Sequence, residues 1–321
     1  MSIAVGSGVF KGDVDDTRYT ESRCEPQGYG VALLSSKAKR CMSQSGKSQS
    51  EPSSPGVPNS ERKPSGTAEN MRRDWDARAR RNAFLYIASW RNDWNEDSFF
   101  DSGEQDYLRL VEPVLEKLSV IPSTRSMAEL GCGAGRMTRS FAKRFRTVTA
   151  VDISAEMQAR AKNYLGSFPN IRWVLSDGET LSGIETGAVD FVFSYLVLQH
   201  MPSKAVVYDT IQEMMRVLAP GGAFLLQFNG SHAATMNWKG RFISGVLDGL
   251  CSFGLKKMAQ GLADAAGIDP EMVGATWRGA ALTSAEITEA VRSGGGVPGG
   301  FLDADTPMAW CYGGKPTESR A

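Results

Sequence analysis

The segment Met127-Ala128-Glu129-Leu130-Gly131-Cys132-Gly133-Ala134-Gly135-Arg136 limits the possible folds of this chain more than any other. A short apolar run ends on an acidic residue and passes into glycines at three alternate positions. Phe141, Ala142 and Phe145 then fall on one face of a helix-like stretch. The pattern predicts a strand, a tight glycine turn and a helix. Glycine serves where the backbone needs φ > 0 or where a ligand must lie against bare main chain. At the end of a parallel strand this makes a nucleotide-binding loop. Spacing narrows the ligand. The dinucleotide fingerprint is G-x-G-x-x-G, whereas here Gly131-x-Gly133-x-Gly135 is followed by Arg136. The third glycine comes one residue early, which counts against NAD and FAD.

Apolar strands and amphipathic helices alternate on both sides of this loop. Strands are predicted near Ser126–Leu130, Thr147–Val151, Ile171–Leu175, Val189–Tyr195 and Gly222–Phe228. Helices are predicted over Gly135–Phe145, Ala155–Leu165 and Lys204–Val217. Continuous apolar runs such as Phe191-Val192-Phe193 suit strands buried on both faces. Strand-helix alternation gives a parallel sheet with right-handed crossovers. Further helices are expected within Trp238–Gly267. Thr283 with Glu286 three residues on looks like a capping box, and the helix it opens ends at Gly294–Gly296. Two short strands, around Val297–Leu302 and Met308–Tyr312, close the pattern.

Two strand ends carry carboxylates. Val151-Asp152-Ile153-Ser154 places Asp152 beside the glycine loop, where it can accept both hydroxyls of a ribose. Charged hydrogen bonds of this kind contribute about 1.5–3 kcal/mol each. Leu175-Ser176-Asp177-Gly178 places Asp177 where an adenine amino group could donate to it. Either side chain could instead cap a helix or form a turn.

Composition narrows the function classes. Of 321 residues, 41% are hydrophobic, enough for a sizeable core, and the formal net charge is zero. Phosphate-backbone binders usually carry a basic excess, so nucleic acid is disfavoured as a partner. The five cysteines (Cys24, Cys41, Cys132, Cys251, Cys311) form no CxxC and are odd in number. With only His200 and His232 as histidines, a disulfide framework and a metal site are both disfavoured. No apolar run reaches the roughly 18–20 residues of a membrane span, and a cytoplasmic protein is expected.

The first 70 residues differ from the rest. Ser35–Ser65 is rich in Ser, Pro, Lys and Gln with almost no large apolar residue. Such a segment cannot offset its ordering entropy, so residues 1–70 are expected to be a disordered extension. Met71, where the composition changes, is taken as a true or alternative start, a reading that intact mass of natively expressed protein would test. Residues 71–123 are expected to form cap or lid helices. Tyr86, Trp90 and Trp94 recur at i, i+4, i+8 within a helical pattern from Trp75 to Phe100. That stripe either packs on the domain or covers a ligand. A second helix is predicted from Glu104 to Leu118, ended by Pro122 and Ser123.

The ordered set ELGCGAGR, AVDIS, SDG, VDFVFSYLVLQHM and RVLAPGG resembles the class I S-adenosylmethionine-dependent methyltransferases over roughly Ser126–Phe228. The resemblance implies an α/β, Rossmann-like, seven-stranded and mostly parallel sheet of order 3-2-1-4-5-7-6, its last strand antiparallel, with helices on both faces. The methyltransferase domain would span 124–315, with a helical insertion at about 232–270. The cofactor is implied to be S-adenosyl-L-methionine. Glu129, Gly131 and Gly133 would flank its methionyl part, with Cys132 in the same loop. Asp152 would hold the ribose, Ile153 and Met157 the adenine, Asp177 the adenine amino group with Gly178 beside it, and Ser194 the methionine end. Leu218–Gly222 would be a structural turn.

The donor has no pyrophosphate, so the loop need not cradle phosphate. Its sulfonium is already electrophilic, and the protein's task is chiefly to position a nucleophile. The implied acceptor is a small organic molecule with apolar surface. After the fourth strand, Ser194-Tyr195-Leu196-Val197 replaces the Asn/Asp-Pro-Pro-aromatic motif of adenine and amide methylating families. No Pro-Cys motif for pyrimidine methylation is present. His200 is the candidate base, with packing as the alternative role; Tyr86, His232 and Arg241 are weaker candidates. A protein methyltransferase, or a non-catalytic cofactor-binding module of the same fold, are the alternative readings.

Overall fold

The computed structural model describes residues 65–230, 245–247, 249–251 and 253–317. Residues 1–64 of the expected extension lie outside them, as do the weaker candidates His232 and Arg241 and part of the 232–270 insertion.

The chain builds one seven-stranded sheet. Its strands are β1 (Ser126–Leu130), β2 (Thr147–Asp152), β3 (Ile171–Leu175), β4 (Val189–Ser194), β5 (Leu218–Phe228), β6 (Val297–Leu302) and β7 (Ala309–Gly314). Their order is 3-2-1-4-5-7-6, as expected. β1 to β5 pair in parallel, and β7 runs antiparallel between β5 and β6. The helices are α1 (Gly66–Ile87), α2 (Glu96–Asp106), α3 (Glu112–Lys117), α4 (Thr138–Ala142), α5 (Ala155–Leu165), α6 (Lys204–Val217), α7 (Lys256–Ala265), α8 (Ala275–Arg278) and α9 (Ser284–Ser293).

Alternation within each strand divides the core. Ala128, Leu130, Val192 and Phe224 face α6 and α9 and pack with Ile211, Met214, Ile287 and Val291. Met127, Phe191, Phe193 and Leu225 face the other way, against Tyr107, Val111, Leu115 and Phe141. Full burial of each such side chain contributes about 1.5–3 kcal/mol. A third cluster joins α1, α2 and α5 through Ala79, Phe99, Met157 and Leu165.

Several elements differ from the sequence expectation. α1 begins at Gly66, ahead of Met71, because Ser65 caps it by accepting the Ala68 N–H. The aromatic stripe Tyr86-Trp90-Trp94 does not lie on one helix face, since α1 ends at Ile87 and Trp90 is 56% exposed. Asn82 has extended φ/ψ inside α1, and its side chain accepts the Leu85 N–H (3.1 Å). That internal cap breaks the helix, and the Asn95–Ser98 capping box starts the next one. The helix predicted over 104–118 is divided by a π-helical turn at Tyr107–Val111. Pro113 follows that turn and has no N–H to continue an α-helical ladder. The Thr283–Glu286 capping box is present as expected. Helical structure in the insertion continues past residue 270 to Arg278.

Candidate functional site

The parallel strands end together at one edge of the sheet, and the glycine turn lies there. Gly131 and Cys132 donate to the Val151 carbonyl at 2.8 and 2.9 Å, tying the turn to β2. Gly131 has φ +74°, and a Cβ there would meet a Val197 methyl carbon at 2.0 Å. Gly133 has φ +52°, and its Cβ would come within 2.8 Å of Ile87 in α1. These glycines are needed both for handedness and for close approach.

Asp152, at the end of β2, accepts the Gly133 N–H at its Oδ2 and the Ser154 N–H at its Oδ1, both at 2.8 Å. Burial pushes its pKa up to about 6, against the two backbone donors. Glu129, at the inner side of the turn, accepts the Thr138 hydroxyl (2.6 Å). Burial pushes its pKa up to about 7, opposed by the Thr138 hydrogen bond. Asp76 of α1 accepts the Ser154 hydroxyl (2.6 Å), so α1 is tied to the end of β2 as well.

A cavity of about 810 Å³, counted to its open mouth, lies over this edge. Gly131, Gly133 and Asp152 form its floor, and Ile153 and Met157 one wall. Met71 and Trp75 of α1 close it from above, while Leu196, Val197 and His200 bound the far side. Asp152, Glu179 and Glu213 bring carboxylates to the lining; no lysine or arginine lines it among the described residues. No cluster among the described residues offers a metal site.

The far side is built on strain. Leu196 has φ +60°, a left-handed conformation costing a branched residue about 1–2 kcal/mol. Its N–H donates to Gln227 Oε1 (3.0 Å) on β5. His200 is enclosed between Trp75 and Trp277, ring centroids 5.3 and 5.0 Å away. Its Nδ1 meets the Trp277 carbonyl and its Nε2 the Gln199 amide nitrogen (3.2 Å). Burial pushes its pKa down to about 4, with the Trp277 bond opposing and Arg78 assisting. The imidazole is therefore neutral at physiological pH, with both nitrogens engaged.

The upper wall is held by a buried cation. Arg78 of α1, fully buried, donates to the carbonyls of Glu271 and Thr276 (3.0 and 3.2 Å) and to the Thr276 hydroxyl (3.2 Å). That hydroxyl donates to Asp74 (2.7 Å), which also pairs with Lys256 (2.5 Å). The Arg78 guanidinium lies 4.7 and 5.2 Å from the Trp75 and Trp277 ring centres. Tyr86 donates to Asp269 (2.8 Å) in the same seam. At the end of α8, Gly279 has φ +58°, and a Cβ there would lie 1.9 Å from the Gln199 carbonyl oxygen.

Of the residues singled out from sequence, Gly131, Gly133, Asp152, Ile153, Met157, Gly178 and His200 meet around the cavity. Glu129 and Cys132 are buried outside its lining. Asp177 does not line it either. One of its oxygens accepts the Glu179 and Thr180 N–H groups (2.8 and 2.7 Å), and the other accepts the Thr180 hydroxyl (2.7 Å). Ser194 is fully buried, and its hydroxyl has no hydrogen-bond partner. Met71 and Trp75 were not foreseen as lining residues; their i, i+4 spacing was the available signal. Thr210 and Glu213 of α6 also line the cavity, and no local pattern marks them.

Residues 128–226 match the family model described as a methyltransferase domain. That stretch runs from β1 into β5 and includes the glycine turn, Asp152 and the segment after β4, so these residues carry the pattern of a methyltransferase domain. The ubiquinone biosynthesis O-methyltransferase of Xanthomonas oryzae pv. oryzae (strain PXO99A) is 29% identical over 148 residues, 44% of this chain and 58% of that protein. The trans-aconitate 2-methyltransferase of Variovorax paradoxus (strain S110) is 31% identical over 137 residues, 42% of this chain and 49% of that protein. The chain thus spans about half the length of the curated relatives it matches. Among solved structures, magnesium protoporphyrin IX methyltransferase from Synechocystis PCC 6803 with bound S-adenosylhomocysteine aligns at a TM-score of 0.49 and 16% identity, covering 77% of this chain and 99% of that one.

Proposed function

We propose that this chain transfers the methyl group of S-adenosylmethionine to a small organic molecule. The carrying observation is the cavity itself, floored by bare glycine backbone and Asp152 and lined by carboxylates without a lysine or arginine among the described residues. A donor with a positive sulfonium and ammonium suits such a lining. The raised pKa values of Asp152 and Glu129 mark carboxyls that a nearby cation would favour in charged form. The fit also draws on backbone. Gly131 and Gly133 leave bare main chain in the floor, and the Ser194 hydroxyl is a buried group still lacking a partner.

In this reading Gly131 and Gly133 lie along the methionyl part, with Glu129 and Cys132 supporting the turn. Asp152 holds the ribose, Ile153 and Met157 pack on the adenine, and Gly178 bounds it. Asp177 shapes the turn around Gly178, and Ser194 stands at the methionine end. Residues 71–123 act as the lid, supported by Met71 and Trp75 over the cavity. The domain proper runs 124–315. The bound donor supplies an electrophilic methyl group; the chain's residues bind, orient and exclude water. His200 has no free nitrogen to offer an acceptor, so a positioning role suits it better than that of base. The zero net charge supports a small acceptor over nucleic acid, and a cytoplasmic setting agrees with a described chain lacking a helix fit to cross a membrane.

Calorimetry with S-adenosylmethionine and S-adenosylhomocysteine tests the donor, and labelled donor incubated with a metabolite extract tests transfer. Binding with label in a small organic product is expected. No binding of either molecule would overturn the proposal, and binding without transfer would leave a cofactor-binding module.

A further inference from the structure

Four hydrogen bonds run head to tail along the carboxyl edge of the sheet. The Leu196 N–H donates to Gln227 Oε1 (3.0 Å). Gln227 Nε2 donates to Gln199 Oε1 (3.0 Å). Gln199 Nε2 faces His200 Nε2 (3.2 Å), and His200 Nδ1 faces the Trp277 carbonyl. The two ends are backbone groups whose roles cannot be exchanged, since an N–H only donates and a carbonyl only accepts. Each side chain between them is therefore set in one orientation. Gln227 is fixed a second time, because its Nε2 also meets the Phe228 and Pro307 carbonyls (2.9 and 3.2 Å). His200 must be the neutral tautomer with its proton on Nδ1.

We propose that Gln227, Gln199 and His200 are positioning residues forming a one-way hydrogen-bond chain, anchored on Trp277, that holds Leu196 left-handed and Val197 against the glycine loop. Two observations give this chain a task. Leu196 is strained, and such strain persists only where the surroundings over-determine it. Val197, the next residue, fills the space a side chain at Gly131 would need. Trp277 belongs to the α8 segment that Arg78 joins to α1, so the chain connects the cover of the cavity to its floor. Buried hydrogen bonds in series polarise one another.

The one-way order also dictates what a proton would do. A proton on His200 Nε2 needs an acceptor, so Gln199 must flip. Its Nε2 then meets Gln227 Nε2, so Gln227 must flip too. That sets an amide N–H against the Leu196 N–H and takes donors from the Phe228 and Pro307 carbonyls. The rings of Trp75 and Trp277 enclose the imidazole, and the Arg78 guanidinium behind them also opposes a charge there.

Imidazole ¹⁵N NMR on the full chain tests this without substrate. The sequence has two histidines, so a His232→Gln variant assigns the signals. The wild type is expected to show His200 as the neutral Nδ1–H tautomer at pH 7. Gln199→Glu puts an acceptor-only group before His200 Nε2, and an imidazolium signature is expected at pH 7. Gln227→Glu lies one link further away. It should flip Gln199 and protonate His200 Nε2, a change that mere packing would not transmit. Gln227→Met, which releases Leu196, is expected to raise the KM for S-adenosylmethionine about tenfold, or 1.4 kcal/mol, with a smaller change in kcat. An Nε2–H or doubly protonated His200 in the wild type would overturn the proposal. So would a His200 signal unmoved by Gln199→Glu, which decides the matter if Gln227→Glu does not fold. Only the KM measurement rests on the proposed donor; a wild type that bound no donor would remove that function and leave the NMR outcomes to judge the chain.

Discussion

The floor and the cover of the cavity are held by different kinds of contact. The floor is local. Its turn is tied to β2 by Gly131, Cys132 and Gly133, the last bonding Asp152 only 19 residues away. The cover is assembled from afar. Arg78 reaches Glu271 and Thr276 across 193 and 198 residues, and Tyr86 reaches Asp269 across 183. Closing such loops costs entropy before any contact returns it. The cover therefore depends on the whole chain, while the floor depends on a few dozen residues. A fold organised in this way can keep one floor and exchange its cover.

The largest effect should come from breaking the cover. Arg78→Ala leaves the Glu271 and Thr276 carbonyls and the Thr276 hydroxyl without their donor and a void between two indoles, with an expected loss of about 3–5 kcal/mol. Thermal unfolding should show it as a fall of roughly 10 °C; a change under two degrees would mean the seam is not structural. Asp152→Asn strikes the floor instead. It should weaken S-adenosylmethionine about 10- to 100-fold, the loss of one charged hydrogen bond, and should also lower the melting temperature, because the new amide nitrogen faces the Gly133 or the Ser154 N–H. Unchanged affinity by calorimetry would misplace the ribose.

The pH response is smaller and separates the floor carboxyls from His200, which stacks on Trp277 of the cover, by sign. Glu129 and Asp152 have folded pKa values near 7 and 6, above the ordinary carboxylate range. Their contribution to stability is full below about pH 4 and is lost as pH rises through 6 and 7. His200, pushed down to about 4, contributes the opposite way. Its share is present above about pH 6.5 and is lost as pH falls towards 4. Glu129→Gln should therefore stabilise the unliganded protein more at pH 8 than at pH 5; an equal effect at both, in melts across that range, would rule out the buried carboxyl. The smallest effect is expected at Asp177→Asn, where one amide oxygen keeps the turn bonds. Donor affinity should stay within about threefold, under 1 kcal/mol, and a larger loss would return Asp177 to the adenine.

Legibility in the sequence followed the same division. The strands and the glycine turn were foreseen because period, burial and turn chemistry are local signals, whereas the strand order came from the resemblance alone. Asp152 was foreseen because a strand end fixes where its side chain stands. Asp177 carried the same signal, and the residues after it supply its carboxylate with two backbone donors and a hydroxyl. The aromatic stripe at 86, 90 and 94 kept perfect spacing, yet Asn82 and Asn95 offered caps that divide the helix. Arg78 gave no signal at all, since its partners lie some 200 residues downstream. His200 was visible as a residue type; its partners on β5 and α8 were not.

Gly279 carries one more consequence. Its left-handed backbone lies against the Gln199 carbonyl with no room for a methyl group. A chain that shares the 128–226 pattern but has alanine at this position cannot seat its post-β5 segment here. Glycine at this place, together with a Gln-His pair after the fourth strand, is thus a two-part filter for collecting proteins with the same chamber. The methyltransferase pattern alone gathers proteins alike in the floor; the filter would gather those alike in the cover as well.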